Sequence, residues 1–461
     1  MMQVLNRKKP IDCVIPNGEH GLARSLSGLD LTLLGIGAVI GAGIFVLTGI
    51  AAATKAGPAL SLSFVVGALA CLFAALVYAE FASTVPVAGS AYTYTYVTLG
   101  EFPAWIIGWD LILEYALACA VVAIGWSGYF LRLLGGLGIH LPEELTRGPF
   151  QGGIINLPAS AVMLLVSVVL ALGVRQTSLV NTLIVITKLA VIGIFLYAAV
   201  PHVESANWHP FMPFGWGGVM AGAGLIFFAY IGFDAVSTAA EEARNPQRDM
   251  PIGIIGSLAI CTLIYIAVTV VLTGIAPYAS LNVSDPIAFA LVHAGERFAA
   301  AVIAVGAVAG LTSVLLVLLY GQTRLFYAMS HDGLLPPVFS ALHPRFRTPA
   351  RTTLGTGVVI ALAAGLLPIR QVAELVNVGT LAAFVVVSVA VLYLRRAQPD
   401  LHRPFRTPFM PWTPILAIIT CVYLIASLDG VTQLRFVIWM LVGMVVYFLY
   451  ARGHSLIGRG G

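Results

Sequence analysis

The run Gly35-Ile-Gly-Ala-Val-Ile-Gly-Ala-Gly-Ile-Phe45 decides the fold. Four of its first nine residues are glycine, inside a stretch that is otherwise apolar. Glycine costs about 1 kcal/mol against alanine in a helix interior. Such a cluster therefore marks either close helix packing of the GxxxG kind or a helix that is interrupted. As a GxGxxG-like phosphate loop it is weak, because no strand precedes it.

Working outward, the surroundings are those of a membrane protein. The 461 residues are 59% apolar and 10% charged, with a mean hydropathy of +0.96. Soluble domains carry about 25% charged residues, so a water-soluble globular protein is excluded. A bilayer core about 30 Å thick takes roughly 20 apolar residues in a helix. Residues 31–53, 60–82, 104–131, 154–173, 179–200, 219–240, 252–275, 299–320 and 372–394 meet that requirement. Shorter or interrupted runs at 353–367, 409–428 and 434–451 bring the expected count to twelve, or leave some of them re-entrant or interfacial. The runs are continuous rather than alternating, which excludes a β-barrel. The expected fold class is an all-α polytopic membrane protein.

The charges orient it. A net charge of +4 is too small to suggest a nucleic-acid partner. With the N-terminus in the cytoplasm, 17 of the 24 Lys and Arg residues fall inside: Arg7, Lys8, Lys9, Arg24, Arg175, Arg244, Arg248, Arg324, Arg345, Arg347, Arg351, Arg395, Arg396, Arg403, Arg406, Arg452 and Arg459. That bias follows the positive-inside rule. It supports twelve spans with both termini cytoplasmic in a cell (inner) membrane. About 30 polar or mixed residues come before the first span, so no cleavable signal is expected there. Cys13, Cys71, Cys119, Cys261 and Cys421 show no metal-ligand or disulfide spacing. His202 and His209, with Glu204, fall in a Pro- and Trp-rich outer loop and read as a hydrated surface, so no metal is expected.

A second interruption settles the reading of the first. Phe227-Phe-Ala-Tyr-Ile-Gly-Phe-Asp234 puts Gly232 and Asp234 in the middle of span 6. The two disruptions lie five spans apart, an odd number, so the units they open run in opposite directions. Pro58 precedes span 2 and Pro251 precedes span 7, where proline suits a first helical turn. Interrupted segments at matching positions of two halves point to a midplane site between inverted repeats. Peptide groups bared inside hydrocarbon are tolerated only where protein, water or ligand bonds them. The half-helix starting near Ala42 and Gly43 offers N–H groups and a positive dipole end to a carboxylate. The carbonyls of Val39, Ile40, Phe228, Ala229 and Ile231 suit an ammonium. Both groups sit on one carbon of an α-amino acid.

Charged side chains within the spans are the other signal, since they are costly there and mark function by default. Lys188 lies near the centre of span 5, at least about 14 Å from either end at 1.5 Å per residue. It reads as a proton-coupling amine, or else as a permanent ammonium clamping helices together. Glu114, with Asp110 one turn earlier on span 3, is a possible pocket or coupling acid. Asp234 reads as a cap within the second broken helix or as a functional acid, and Glu80 as part of an inner gate or salt bridge. Thr312 and Ser313 bring two hydroxyls into span 8.

Gly35–Phe45, Phe228-Ala-Tyr-Ile-Gly-Phe-Asp234, Glu241-Glu-Ala-Arg-Asn-Pro246 and Tyr320-Gly-Gln-Thr-Arg-Leu-Phe326 resemble the amino acid–polyamine–organocation superfamily. Within it the chain is most similar to the cationic amino acid transporter family and its twelve-span bacterial members. The likeness runs from about residue 26 to 450. It implies a LeuT-type core of two inverted five-helix repeats with discontinuous helices 1 and 6, plus two extra helices at the C-terminal end. The segments are then 1–30, cytoplasmic; 31–200, first repeat; 217–395, second repeat; 409–451, spans 11 and 12; and 452–461, a cytoplasmic tail. Spans 1, 2, 6 and 7 would move against a scaffold of spans 3, 4, 5, 8, 9 and 10.

The resemblance also implies a substrate site at Ile40, Gly41, Ala42 and Gly43 with Phe228, Ala229 and Ile231, next to Val39 and Gly232. It places Lys188 where sodium-coupled relatives bind a cation, near the Gly41 carbonyl and the hydroxyls of Thr312 and Ser313. That favours a proton over sodium and needs no other cofactor. Leu318 would face the substrate side chain and is apolar. The expected function is therefore proton-coupled uptake of small neutral L-amino acids such as alanine, with the lipid bilayer as the other partner. A cationic substrate, obligate exchange, and a non-transporting amino acid sensor are the alternatives. No nucleophile–base or metal constellation supports an enzyme.

Overall fold

The computed structural model describes residues 26–84, 90–173, 178–344, 346 and 348–456. Among the arginines and lysines used for orientation, Arg7, Lys8, Lys9, Arg24, Arg175, Arg345, Arg347 and Arg459 lie outside the described residues, as does Cys13. Every element among the described residues is helical, and the only sheet-like feature is an isolated bridge between Leu26 and Ala243.

Each of the twelve apolar runs carries a helix, although runs 31–53 and 219–240 are broken. The helices are α1 (Gly28–Val39), α2 (Leu60–Thr84), α3 (Glu101–Gly136), α4 (Leu157–Ala171), α5 (Ser178–Ala199), α6 (Gly215–Ile226), α7 (Pro246–Ile275), α8 (Arg297–His331), α9 (Ala350–Leu366), α10 (Ile369–Ala397), α11 (Trp412–Ala426) and α12 (Gly430–Val446). Among the described residues seven stretches are long and apolar enough to cross a membrane, and five more apolar helices are shorter. Large apolar side chains are exposed on the outside, as a lipid-facing surface requires: Leu164 and Leu165 of α4, Ile186 of α5 and Leu441 of α12. This is a polytopic α-helical membrane protein.

Local sequence sets the helix ends. Ser27 and Asp30 form a reciprocal capping box that starts α1. The chain just before it pairs with the end of the second interrupted segment: Leu26 N–H donates to Glu242 and Arg244 N–H donates back to Leu26. Pro58 sits in a short 3-10 turn (Gly57–Ala59) that leads into α2. Pro251 corrects the expectation for span 7. The helix opens five residues earlier, at Pro246, and Pro251 lies inside it.

Helices five apart in sequence pack together extensively: α2 with α7, α3 with α8, and α4 with α9. In addition α7 lies along α1, while α3 also lies along α10 and α8 along α5. Glu80 forms the ion pair its position suggested. It is 3% exposed and accepts from Nε and Nη2 of Arg395 at 2.8 Å each and from the Thr407 N–H at 2.8 Å. That knot joins α2 to the end of α10 and the loop beyond.

Candidate functional site

Both interruptions exist, and they touch. After Val39 the backbone leaves helical geometry at Ile40 (φ −73°, ψ 99°) and re-enters at Ala42. In the other, a 3-10 turn (Phe227–Tyr230) ends at Ile231 (φ −60°, ψ 132°), and Gly232 takes φ +117° before a 3-10 segment (Asp234–Glu242) begins. A Cβ at Gly43 would stand 2.2 Å from the Ala229 Cα, so backbone meets backbone there. At Gly232 a Cβ would meet the Ala38 carbonyl group at 2.9 Å, in a φ region side chains avoid. Gly35, by contrast, faces the Ser257 side chain of α7, which is the packing role first considered for the whole cluster. The Asp234 carboxylate accepts from the Gly232 N–H at 3.2 Å and so caps the second interruption.

A helix end leaves its last carbonyls without intrahelical partners, and here side chains from other helices meet them. Lys188 Nζ donates to the Gly37 carbonyl at 2.8 Å. The Tyr265 hydroxyl of α7 lies 2.8 Å from the Val39 carbonyl and 2.9 Å from that of Ala229, so its single proton bridges the two interruptions. Asn377 Nδ2 of α10 donates to Gly224 and Leu225 at 2.8 and 2.9 Å. The Phe228 carbonyl accepts from the Ile231 N–H at 3.2 Å. In this conformation three of the carbonyls expected to face an ammonium, those of Val39, Phe228 and Ala229, already have donors. Ile40, Ala42, Phe228 and Ala229 are all buried.

The surroundings of Lys188 differ from the expectation. Its amine reaches Gly37, one turn before Gly41. Thr312 accepts from the Trp126 indole N–H at 2.9 Å and donates to Val308, whereas Ser313 is buried nearby on α8. The lysine stem passes Gly310, where a Cβ would come within 3.2 Å of Cε and Cγ. The α8 residue opposite Gly41 is Val314, whose methyl is 3.6 Å from a built Cβ. Leu318 lies one turn further along the same stripe and is partly buried. Glu114 is 4% exposed, with Oε2 unpartnered among the described residues, and is within electrostatic reach of Asp234 and Asp110. Asp110 points at α10, where Gly379 leaves room for it.

Tyr265, Asn377 and Val314 were not read as site residues. Tyr265 and Val314 look like any apolar span residue. Asn377 carried a signal, as an amide within a span. Tyr265→Phe is expected to cost about 1–3 kcal/mol, because two buried carbonyls lose their shared donor. A lower melting temperature of the purified protein, with α7 still helical, checks this.

The family model described as amino acid permease matches residues 26–451. A methylthioribose transporter of Bacillus subtilis (strain 168) is 52% identical over 461 residues, covering 99% of this chain and 100% of that protein. The branched-chain amino acid permease BcaP of the same strain is 53% identical over 460 residues, covering 98% and 99%. The vacuolar cationic amino acid transporter 4 of Arabidopsis thaliana is 40% identical over 410 residues, covering 87% of this chain and 68% of the relative. With its paired interruptions and its membrane-spanning helices, the chain belongs to the amino acid permease family of the amino acid–polyamine–organocation superfamily, and is a multi-pass membrane transporter rather than an enzyme.

Proposed function

We propose that this transporter carries neutral aliphatic L-amino acids into the cell together with a proton, by alternating access around the two interruptions. The observation that carries the reading is the contact of Gly43 with Ala229, bridged by Tyr265 and backed by the buried amine of Lys188. Substrate would enter as the two half-helices separate. Its carboxylate would take the N–H end at Ala42, Gly43 and Ile44, and its ammonium the carbonyls at Ile40 and Ile231 and those released by Tyr265. The packing of α2 on α7, α3 on α8 and α4 on α9 supports two inverted repeats, 31–200 and 217–395, with 409–451 added. The coupling ion is a proton at Lys188, and both termini face the cytoplasm.

The side-chain wall is apolar: Val314 and Leu318, with Phe228 near the break. That favours a neutral substrate over a cationic one. The expected range runs from alanine to the branched-chain residues, the larger end being supported by the name of the 53%-identical relative. A second reading comes from the relative named for methylthioribose, at nearly the same identity. A thiosugar has no carboxylate for the N–H end, and so makes less use of the geometry. Uptake into proteoliposomes, acidic outside, decides. Alanine, valine, leucine and isoleucine are expected to compete with one another, while arginine and methylthioribose do not. Competition by methylthioribose alone would overturn the proposal.

A further inference from the structure

The motif Tyr320–Phe326 takes no part in the paired interruptions, yet it holds an unusual polar group. Gln322 is 0% exposed, and neither its amide nitrogen nor its oxygen has a hydrogen-bond partner among the described residues. A buried amide without a partner is costly, so something is expected to meet it. Gln322 lines a cavity of about 470 Å³ bounded by α3, α8 and α9, within the size range of ligand sites. The wall is mostly apolar, with Ile112, Phe326, Val359 and Trp439 on it, and Arg351 at one end.

Its dimensions follow the membrane. The wall on α9 runs from Arg351 to Ala363, about 18 Å at 1.5 Å per residue. One leaflet's share of the hydrocarbon core is roughly 15 Å. The apolar run of span 8 ends at 320 and that of span 9 begins at 353. Gln322 and Arg351 therefore both sit at the edge of the hydrocarbon, where the ester carbonyls and phosphates of lipids lie, and the apolar wall extends inward from them.

We infer that this cavity holds one acyl chain of an anionic phospholipid. Gln322 donates its amide N–H to an ester carbonyl, and Arg351 pairs with the phosphate. The apolar wall selects the chain, and the guanidinium at its mouth selects the phosphate. The inference rests on the placement of α8 and α9 in a bilayer and not on the identity of the substrate.

Native mass spectrometry of the full chain, purified in mild detergent and exchanged with dioleoylphosphatidylglycerol, tests it. One retained lipid per chain is expected. Ala363→Trp, which fills the deep end, is expected to abolish retention. Arg351→Gln should weaken it by roughly tenfold, the worth of one charge-assisted bond. Gln322→Leu should also lose lipid, but without loss of melting temperature, because it removes the orphaned amide along with the ligand contact. If Ala363→Trp does not fold, the other two variants decide. Retention that is absent in the parent protein, or equal in Arg351→Gln, Gln322→Leu and the parent, overturns the inference. So does a polypeptide, rather than lipid, captured by a photocrosslinker placed at Val359.

Discussion

Lys188→Ala protein in proteoliposomes is expected to keep substrate exchange while losing accumulation driven by a proton gradient. The amine is 1% exposed and holds α5 to α1 through the Gly37 carbonyl. On the proposed coupling, its bond to Gly37, within one turn of the first interruption, would let a proton there be felt by the bound substrate. One proton crossing 100 mV supplies about 2.3 kcal/mol, enough for roughly a 50-fold gradient at 1.36 kcal/mol per decade. Without a group to carry that proton, the gradient should collapse toward unity. Counterflow, which needs no net driving force, should persist.

Two further arms separate coupling from simple clamping. Lys188→Arg keeps a donor for Gly37 but stays charged at all accessible pH, so it too should exchange without accumulating. A purely structural lysine predicts another pattern: Lys188→Ala would lose binding and melting temperature together, and Lys188→Arg would accumulate normally. Unchanged pH-driven accumulation in Lys188→Ala would falsify the coupling role outright.

The second large effect is expected at Gly43. An alanine Cβ there would lie 2.2 Å from the Ala229 Cα and 2.5 Å from its Cβ, and neither is the tip of a flexible side chain. The two interruptions must move apart, at a cost of about 1–3 kcal/mol for overpacking. That is roughly 5- to 150-fold in the equilibrium between the touching and separated states. Gly43→Ala should therefore lose most transport and favour the separated state.

Gly41→Ala is the informative control. Its Cβ would meet only the Val314 methyls, at 3.6 and 3.7 Å, which is ordinary contact. It should be expressed and stable, with uptake of larger side chains reduced more than that of alanine. Equal losses at both glycines, for all substrates, would mean that the break-to-break contact has no special part in the cycle.

The membrane class, the apolar helices, the two interrupted positions and the burial of Lys188 were legible in the sequence by itself. Each rests on short-range properties: the apolar length a bilayer demands, glycine's cost in a helix, and the price of a charge in hydrocarbon. The acidic residues were partly legible. Glu80 reads in the sequence as part of an inner gate or a salt bridge, but nothing there names Arg395 and the Thr407 N–H as its partners.

Tertiary structure alone decided which groups meet at the center. Lys188 bonds Gly37 rather than Gly41, Tyr265 bridges Val39 and Ala229, Asn377 meets Gly224 and Leu225, and Val314 faces Gly41. Each of these is a matter of how far one helix is turned and slid against another. A slide of one turn exchanges Gly41 for Gly37 while leaving hydropathy unchanged. The rotation and depth of a helix are set by its packing partners, distant in sequence, so no reading confined to one span could supply them.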